Sequence, residues 1–148
     1  MIKLEAVLLV LLAASGCTSY TITKDELVHH FKENQFPQET SISVGVIPAL
    51  ICGSTYQSNS IKKIPCLNSS GERVYLYPDR NTQLEITSKS SQDVVKMYFD
   101  TVWLVENKLV GLRSRLLSQC MVREIALDDI EKIVITAEFP KTDKIEGR

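Results

Sequence analysis

An apolar run close to the beginning of the chain constrains most strongly what this sequence can fold into. Residues 6–14 contain only alanine, valine and leucine, and Lys3 precedes them. The run is about as long as the apolar part of a signal peptide, but it is shorter than the roughly 20 residues that span a bilayer. It has no polar face, so an amphipathic helix packed on a globular core is not predicted. We therefore expect a leader segment that does not belong to the folded domain.

Small residues and a cysteine follow the apolar run. Residues 14–16, Ala-Ser-Gly, stand directly before Cys17, and this pattern resembles the signal peptide and lipobox of a bacterial lipoprotein, with alanine where leucine is more usual. The resemblance implies that residues 1–16 are removed and that lipid on Cys17 holds the protein on a membrane. Because Thr18 rather than aspartate follows, it also implies the outer membrane, facing the periplasm. The alternative is an ordinary cleaved secretory signal in which Cys17 has no special role.

Length and charge limit the rest of the chain to one domain with a balanced surface. The chain has 148 residues, 24% of them charged, and a net charge of −1. No strongly basic field attracts nucleic acid, so no nucleic-acid partner is expected. We divide the chain into a signal peptide (1–16), a segment with the lipid attachment site, a tether and a short helix (17–40), a β-rich domain (41–139) and a polar C-terminal tail (140–148).

Three further cysteines, Cys52, Cys66 and Cys120, fit an oxidising compartment. We expect a disulfide between Cys52 and Cys66, because the glycine, serine and asparagine residues between them indicate a turn that joins two strands. Such a bridge stabilises a domain by about 3 kcal/mol in the chain-entropy model. Cys120 would then be unpaired, and the other two pairings stay open. His29 and His30 lack the spacing to form a metal site with these thiols, so no metal or other cofactor is expected.

A short helix is predicted over Lys24–Gln35. Thr23 and Glu26 have the spacing of a capping box, in which each side chain satisfies an amide of the first turn. Leu27 and Phe31 share one face of this helix, four residues apart. The two histidines within it are predicted to lie on the surface.

From residue 41 onward the pattern is that of β-strands. The predicted fold class is therefore α+β, mainly β, with the short N-terminal helix followed by a small antiparallel barrel or sandwich. An apolar segment predicts a strand over Ile42–Cys52, and alternation predicts another over Arg73–Tyr77. The longest run predicts one strand whose inward side chains are Val95, Met97, Phe99, Trp103 and Val105.

The end of this β-rich region has its own pattern. The last strand is expected to point four side chains into the core and to end at Pro140; the four are Ile133, Ile135, Ala137 and Phe139. Asp128-Asp129 predicts a single helical turn before it. The segment Arg123–Ile133 is similar to the short turn and final strand of SH3-like and Sm-like barrels.

No catalytic residues are predicted. The chain has no Gly-x-Ser-x-Gly elbow and no phosphate-binding glycine loop. Asp128 and Asp129 are adjacent, so their carboxylates diverge and are expected to cap a turn. Asp100 lies among aromatic residues, and we expect it to be a cross-strand partner of Lys96 or Arg113.

A candidate contact patch combines aromatic and basic side chains. Tyr75, Tyr77, Arg113 and Arg115 lie on predicted outward faces of strands. Together they would suit a polyanionic partner such as lipid headgroups or a glycan. The alternative interpretation is an ordinary solvated strand face.

The leading hypothesis is a non-catalytic envelope lipoprotein that docks another envelope protein or assists an assembly. A second hypothesis is a periplasmic module that binds a lipid or another apolar ligand. Residues 20–26 resemble the start of some periplasmic lipoproteins that enclose such ligands. A third and least favoured hypothesis is an enzyme, a hydrolase or an isomerase.

Overall fold

The computed structural model describes residues 16–34, 58–59, 61–114 and 121–146. These ranges contain one α-helix and ten strands: β1 (Cys17–Ile22), α1 (Lys24–Asn34), β2 (Ile64–Leu67), β3 (Arg73–Tyr77), β4 (Gln83–Ser88), β5 (Val94–Tyr98), β6 (Trp103–Val105), β7 (Lys108–Leu112), β8 (Val122–Ala126), β9 (Ile130–Glu138) and β10 (Lys141–Lys144). Neighbouring strands are antiparallel. The predicted class, α+β and mainly β, is confirmed. The strand predicted over Ile42–Cys52 lies outside the described residues.

The strands form a large coiled sheet and a small one. The large sheet has the order β10-β3-β2-β1-β9-β4-β5, and the small sheet has the order β6-β7-β8. Only two residues separate β9 from β10 in the chain, and they span at most about 11 Å between the strand ends. Because the two strands lie four places apart in the sheet, the sheet must coil to bring them together. The two edge strands of this sheet, β10 and β5, do not pair, so the sheet is not a closed barrel.

The first strand begins at Cys17, where a tether was predicted. β1 lies inside the large sheet, and its register with β9 runs from Cys17 opposite Glu138 to Ile22 opposite Ile133. Tyr20 and Ile22 are buried, whereas Cys17, Ser19 and Thr21 are exposed on the other face of the strand. The tether prediction is wrong because this short segment has the period-two alternation of a half-buried strand.

The helix forms as predicted. The Glu26 amide donates to Thr23 Oγ1 over 3.2 Å, and the Thr23 hydroxyl lies 3.3 Å from Glu26 Oε2. The Glu26 carboxylate therefore bonds the cap hydroxyl, where a full capping box would have it accept an amide. Leu27 and Phe31 are fully buried, and the Phe31 ring packs against Phe99 with 6.0 Å between centroids.

The longest predicted strand is two strands in different sheets. A 3-10 turn over Phe99–Thr101 separates β5 from β6. The Thr101 hydroxyl donates to the Tyr98 carbonyl over 2.7 Å and thereby closes the corner. Trp103 is buried as predicted, whereas Val105 is 46% exposed at the end of β6. The prediction of a single strand is wrong. Apolar residues continue on both sides of this corner, so the hydrophobic pattern does not reveal the turn.

The C-terminal segment departs from prediction at Phe139. A 3-10 turn over Leu127–Asp129 precedes β9, as expected. Phe139, however, has φ +46° and is 82% exposed, so its assignment to the core is wrong. The left-handed backbone interrupts the strand alternation that predicted an inward ring. Lys141–Lys144 then forms β10 on β3, so the polar tail predicted from residue 140 is partly a strand.

Candidate functional site

The predicted lipid attachment residue stands at the start of the folded chain. Cys17 is exposed, carries a free thiol and is the first residue of β1. Glu138, the last residue of β9, is its cross-strand partner. Side chains directly opposite each other in an antiparallel pair have Cβ atoms about 5 Å apart. Any group attached to the Cys17 sulfur is therefore held beside the end of β9.

An exposed aromatic ring lies next to this cysteine. The Phe139 amide donates to the Gly16 carbonyl over 2.7 Å. Carbons of the Phe139 ring lie 2.6–3.1 Å from the point where a Cβ on Gly16 would stand, so only glycine leaves room for the ring there. The ring lies against the Gly16 backbone, and most of its surface faces solvent. Sequence reasoning missed this ring because alternation assigned it to the core.

Cys66, the second cysteine within the described residues, differs from Cys17 because its thiol is buried. Cys66 in β2 is 3% exposed. Burial raises the pKa of the Cys66 thiol to about 11, and the thiol lies 3.9 Å from the Val74 carbonyl. Such a thiol is a weak nucleophile at neutral pH. Cys66 is free in the structure, but Cys52 and Cys120 lie outside the described residues, so the predicted bridge stays a prediction.

The tyrosines of the predicted contact patch lie together on β3 with lysines over their rings. Lys63 Nζ is 4.5 Å from the centre of the Tyr75 ring, and Lys141 Nζ is 5.0 Å from that of Tyr77. Both distances fit cation–π contacts. The Tyr77 hydroxyl donates to Asp143 Oδ2 over 2.6 Å, and this hydrogen bond raises the Tyr77 pKa. The lysines were missed because the β10–β3 register brings Lys141 to Tyr77 from a distant part of the sequence.

The arginines of the predicted patch are not shown beside those tyrosines. Arg113 follows β7 and lines a pocket of about 270 Å³ with Gln83, Lys96, Met97 and Tyr98. This lining is mainly polar, so the pocket does not suit an apolar ligand. Lys96 pairs with Glu85, with 3.5 Å between Nζ and Oε1, where Asp100 was the predicted partner. Arg115 lies outside the described residues.

The histidines lie at the surface of α1 as predicted. His29 Nε2 is 3.2 Å from Glu33 Oε1. His30 Nε2 is 2.8 Å from the Lys63 carbonyl oxygen, and partial burial lowers the His30 pKa. No cluster of three potential metal ligands occurs in the ranges that the structure describes.

The carboxylate of Asp129 holds the loop after β4. It accepts hydrogen bonds from the Ser88 hydroxyl over 2.5 Å and from the Ser90 amide over 2.9 Å. These bonds lower the pKa of Asp129. No histidine contacts Ser88 or Asp129 in the hydrogen bonds described.

Comparison with known proteins gives no match for this chain. No known family model, curated protein or solved structure matches it. Among the described residues, no helix is both long and apolar enough to cross a bilayer.

Proposed function

We propose that this protein is a lipid-anchored bacterial envelope protein whose mature chain begins at Cys17. The observation that carries the proposal is the position of Cys17 as the exposed first residue of β1. Cleavage of the bond after Gly16 leaves every described strand whole, and the thiol is open to modification. A buried thiol like that of Cys66 would not allow this.

We propose further that the anchored domain is a non-catalytic module that docks another envelope protein at the periplasmic face of the outer membrane. The support for a docking role is the surface formed by Tyr75 and Tyr77 with Lys63 and Lys141. Aromatic residues are enriched in protein interfaces, where a rigid ring supplies contact area at low entropic cost. The choice of membrane rests on Thr18 and the lipobox resemblance.

A pair of variants tests the anchor. Cys17→Ser removes the thiol, and the protein should move from the detergent phase to the aqueous phase after phase separation of the cell envelope. The matched control is Cys17→Ser with Ser19→Cys, which places an exposed thiol on the same face of β1 two residues later. We expect this control to be aqueous as well, because the lipobox and not a surface thiol directs acylation. Detergent partitioning of Cys17→Ser would contradict the proposal.

The docking role has its own test. Crosslinking from position 75 in intact cells should capture one envelope protein, and crosslinking from exposed Val94 serves as the control. Substituting Lys63 and Lys141 with glutamate should remove the product without releasing the protein from the membrane. Equal capture from both positions would contradict a docking surface on β3.

A further inference from the structure

We propose that Phe139 inserts into the lipid surface next to the acylated Cys17 and fixes the orientation of the domain on the bilayer. This inference rests on the proposed function, because it takes Cys17 as the lipid anchor. It adds a second membrane contact and a defined pose. The partner is the interfacial region of a bilayer.

The first argument is distance. Cys17 and Glu138 are cross-strand partners, and Phe139 is the next residue along the chain. The Phe139 ring therefore lies within about 10 Å of the acylated sulfur, given Cβ atoms about 5 Å apart across the pair and one Cα step. Acyl chains on Cys17 bring the bilayer surface to this end of β9, so the ring meets lipid.

The second argument is the absence of a spacer. β1 is paired with β9 from Cys17 onward. An anchor on a flexible segment lets a domain lift and turn, whereas an anchor on the first residue of a paired strand does not. The strand ends at Cys17 and Glu138 must then face the membrane, and the start of β9 must face away from it.

The third argument is the conformation of Phe139. A phenylalanine with φ +46° is a backbone outlier for a bulky side chain. The ring is 82% exposed, the highest value among the exposed large hydrophobic residues described. Removal of residues 1–16 takes away the Gly16 backbone against which the ring lies and the carbonyl that accepts its amide. The same cleavage that prepares Cys17 for lipid thus frees the ring.

The neighbouring carboxylate of Glu138 limits the depth of the contact. Glu138 is exposed and points toward solvent on the same face as Cys17, and a charged carboxylate is costly to bury in lipid. The proposed contact is therefore shallow, with the Phe139 ring in the interfacial region.

Fluorescence quenching in vesicles tests this pose. The full-length chain is expressed in a bacterium, and the lipidated Phe139→Trp protein is purified and placed in phosphatidylcholine vesicles with or without brominated acyl chains. Bromine quenches an indole only on contact. We expect emission from the introduced indole to fall about twofold with brominated lipid, as for an aromatic side chain in the membrane interface.

The matched control is Val105→Trp. Val105 is exposed and directly precedes the turn between β6 and β7. In that turn the Asn107 carbonyl accepts a hydrogen bond from the Leu127 amide, which lies close to the start of β9. β9 runs from that end to Glu138 over nine residues, a length of about 27 Å. The introduced indole there should not be quenched. Wild-type protein supplies the baseline from buried Trp103.

Each outcome is decisive. Quenching at position 139 alone supports the inference. Quenching at both positions, or at neither in a protein whose mass includes acyl chains, overturns it and leaves the anchor proposal standing. A protein without acyl chains that does not bind vesicles overturns the anchor and the inference with it.

Discussion

The hydroxyl of Thr101 accepts the backbone amide of Leu112 over 2.9 Å and so links the corner after β5 to the end of β7. Thr101 is 3% exposed, and its hydroxyl also donates to the Tyr98 carbonyl. One side chain therefore satisfies two backbone groups at the place where the chain leaves the large sheet for the small one. A buried backbone group without a hydrogen-bond partner raises the free energy of the folded state. The contact therefore stabilises the position of the small sheet relative to the large one.

Replacing Thr101 with valine should destabilise the domain. Valine keeps the shape of the side chain but leaves a buried amide unsatisfied, at a cost of about 1–3 kcal/mol. Urea unfolding of the Cys17→Ser protein measures the change. Thr101→Ser keeps the hydroxyl and loses a methyl group, so its loss should be smaller. A valine variant more stable than the serine variant would show that the hydrogen bonds contribute little.

Gly111 in β7 leaves no room for a side chain. A Cβ there would lie 2.7 Å from Met97 Sδ and 3.0 Å from Val102 Cγ2. We expect Gly111→Ala to lower the free energy of unfolding by about 1–3 kcal/mol, the usual cost of overpacking. In a Met97→Val background the sulfur is gone, so the same change should cost less. Equal costs in the two backgrounds would mean that Met97 is not the obstacle.

Glycine and alanine at position 139 separate backbone strain from loss of the ring. Both substitutions remove the aromatic ring, but only glycine adopts φ +46° without strain. The glycine variant should therefore be more stable than the alanine variant by about 1 kcal/mol. Thermal or urea unfolding of the Cys17→Ser protein measures the difference. Equal stabilities would indicate that the backbone relaxes in the mature chain.

The buried thiol of Cys66 should react slowly. In the reduced protein its pKa of about 11 lies above the ordinary value of 9.0, so at pH 8 its thiolate fraction, and with it the alkylation rate, is about a hundredfold lower than for an unperturbed thiol. Peptide mass spectrometry of the folded Cys17→Ser protein, reduced first and then alkylated for timed intervals, measures this rate. Complete modification within the time of an exposed control thiol would contradict the burial of Cys66.

The same variant, isolated without reductant, tests the predicted disulfide. After unfolding without reductant, a bridge between Cys52 and Cys66 leaves Cys120 as the only cysteine that an alkylating reagent modifies. Modification of all three would show that no bridge forms.

Alkaline pH should weaken the fold of the reduced protein. Burial raises the pKa values of Cys66 and Tyr20, and the bond to Asp143 raises that of Tyr77. A raised folded-state pKa means that the unfolded chain loses its protons first, so the stabilisation is complete below about pH 9 and is lost as pH rises through the folded-state values. The urea concentration at the midpoint of unfolding should decrease as the pH rises from 9 to 11. Tyr77→Phe should make this decrease smaller. A midpoint constant over that range would contradict this.

Local signals were readable in the sequence, and non-local ones were not. The Thr23–Glu26 spacing predicts the start of α1 because capping involves residues three apart. Alternation likewise predicts β3, and with it the outward tyrosines. By contrast, the approach of Cys17 to Glu138 depends on strand register across more than a hundred residues, which no local pattern specifies.

The wrong predictions at Thr101 and Phe139 have one cause, which is a change of backbone direction within a continuous hydrophobic pattern. Thr101 turns an apolar run into two strands, and Phe139 reverses the alternation with a left-handed φ. The strand propensities of single residues do not predict such corners, because hydrogen bonds between residues that are distant in the sequence stabilise them. The exposed ring beside Cys17 was missed for this reason.

The most direct test of the anchor is the mass of the N-terminal peptide of protein extracted from the envelope of a bacterium that expresses the full chain. We predict a chain that begins at Cys17 and carries a diacylglycerol thioether and an amide-linked fatty acid on that residue. A chain that retains residues 1–16, or one cut before an unmodified Cys17, would contradict the proposal.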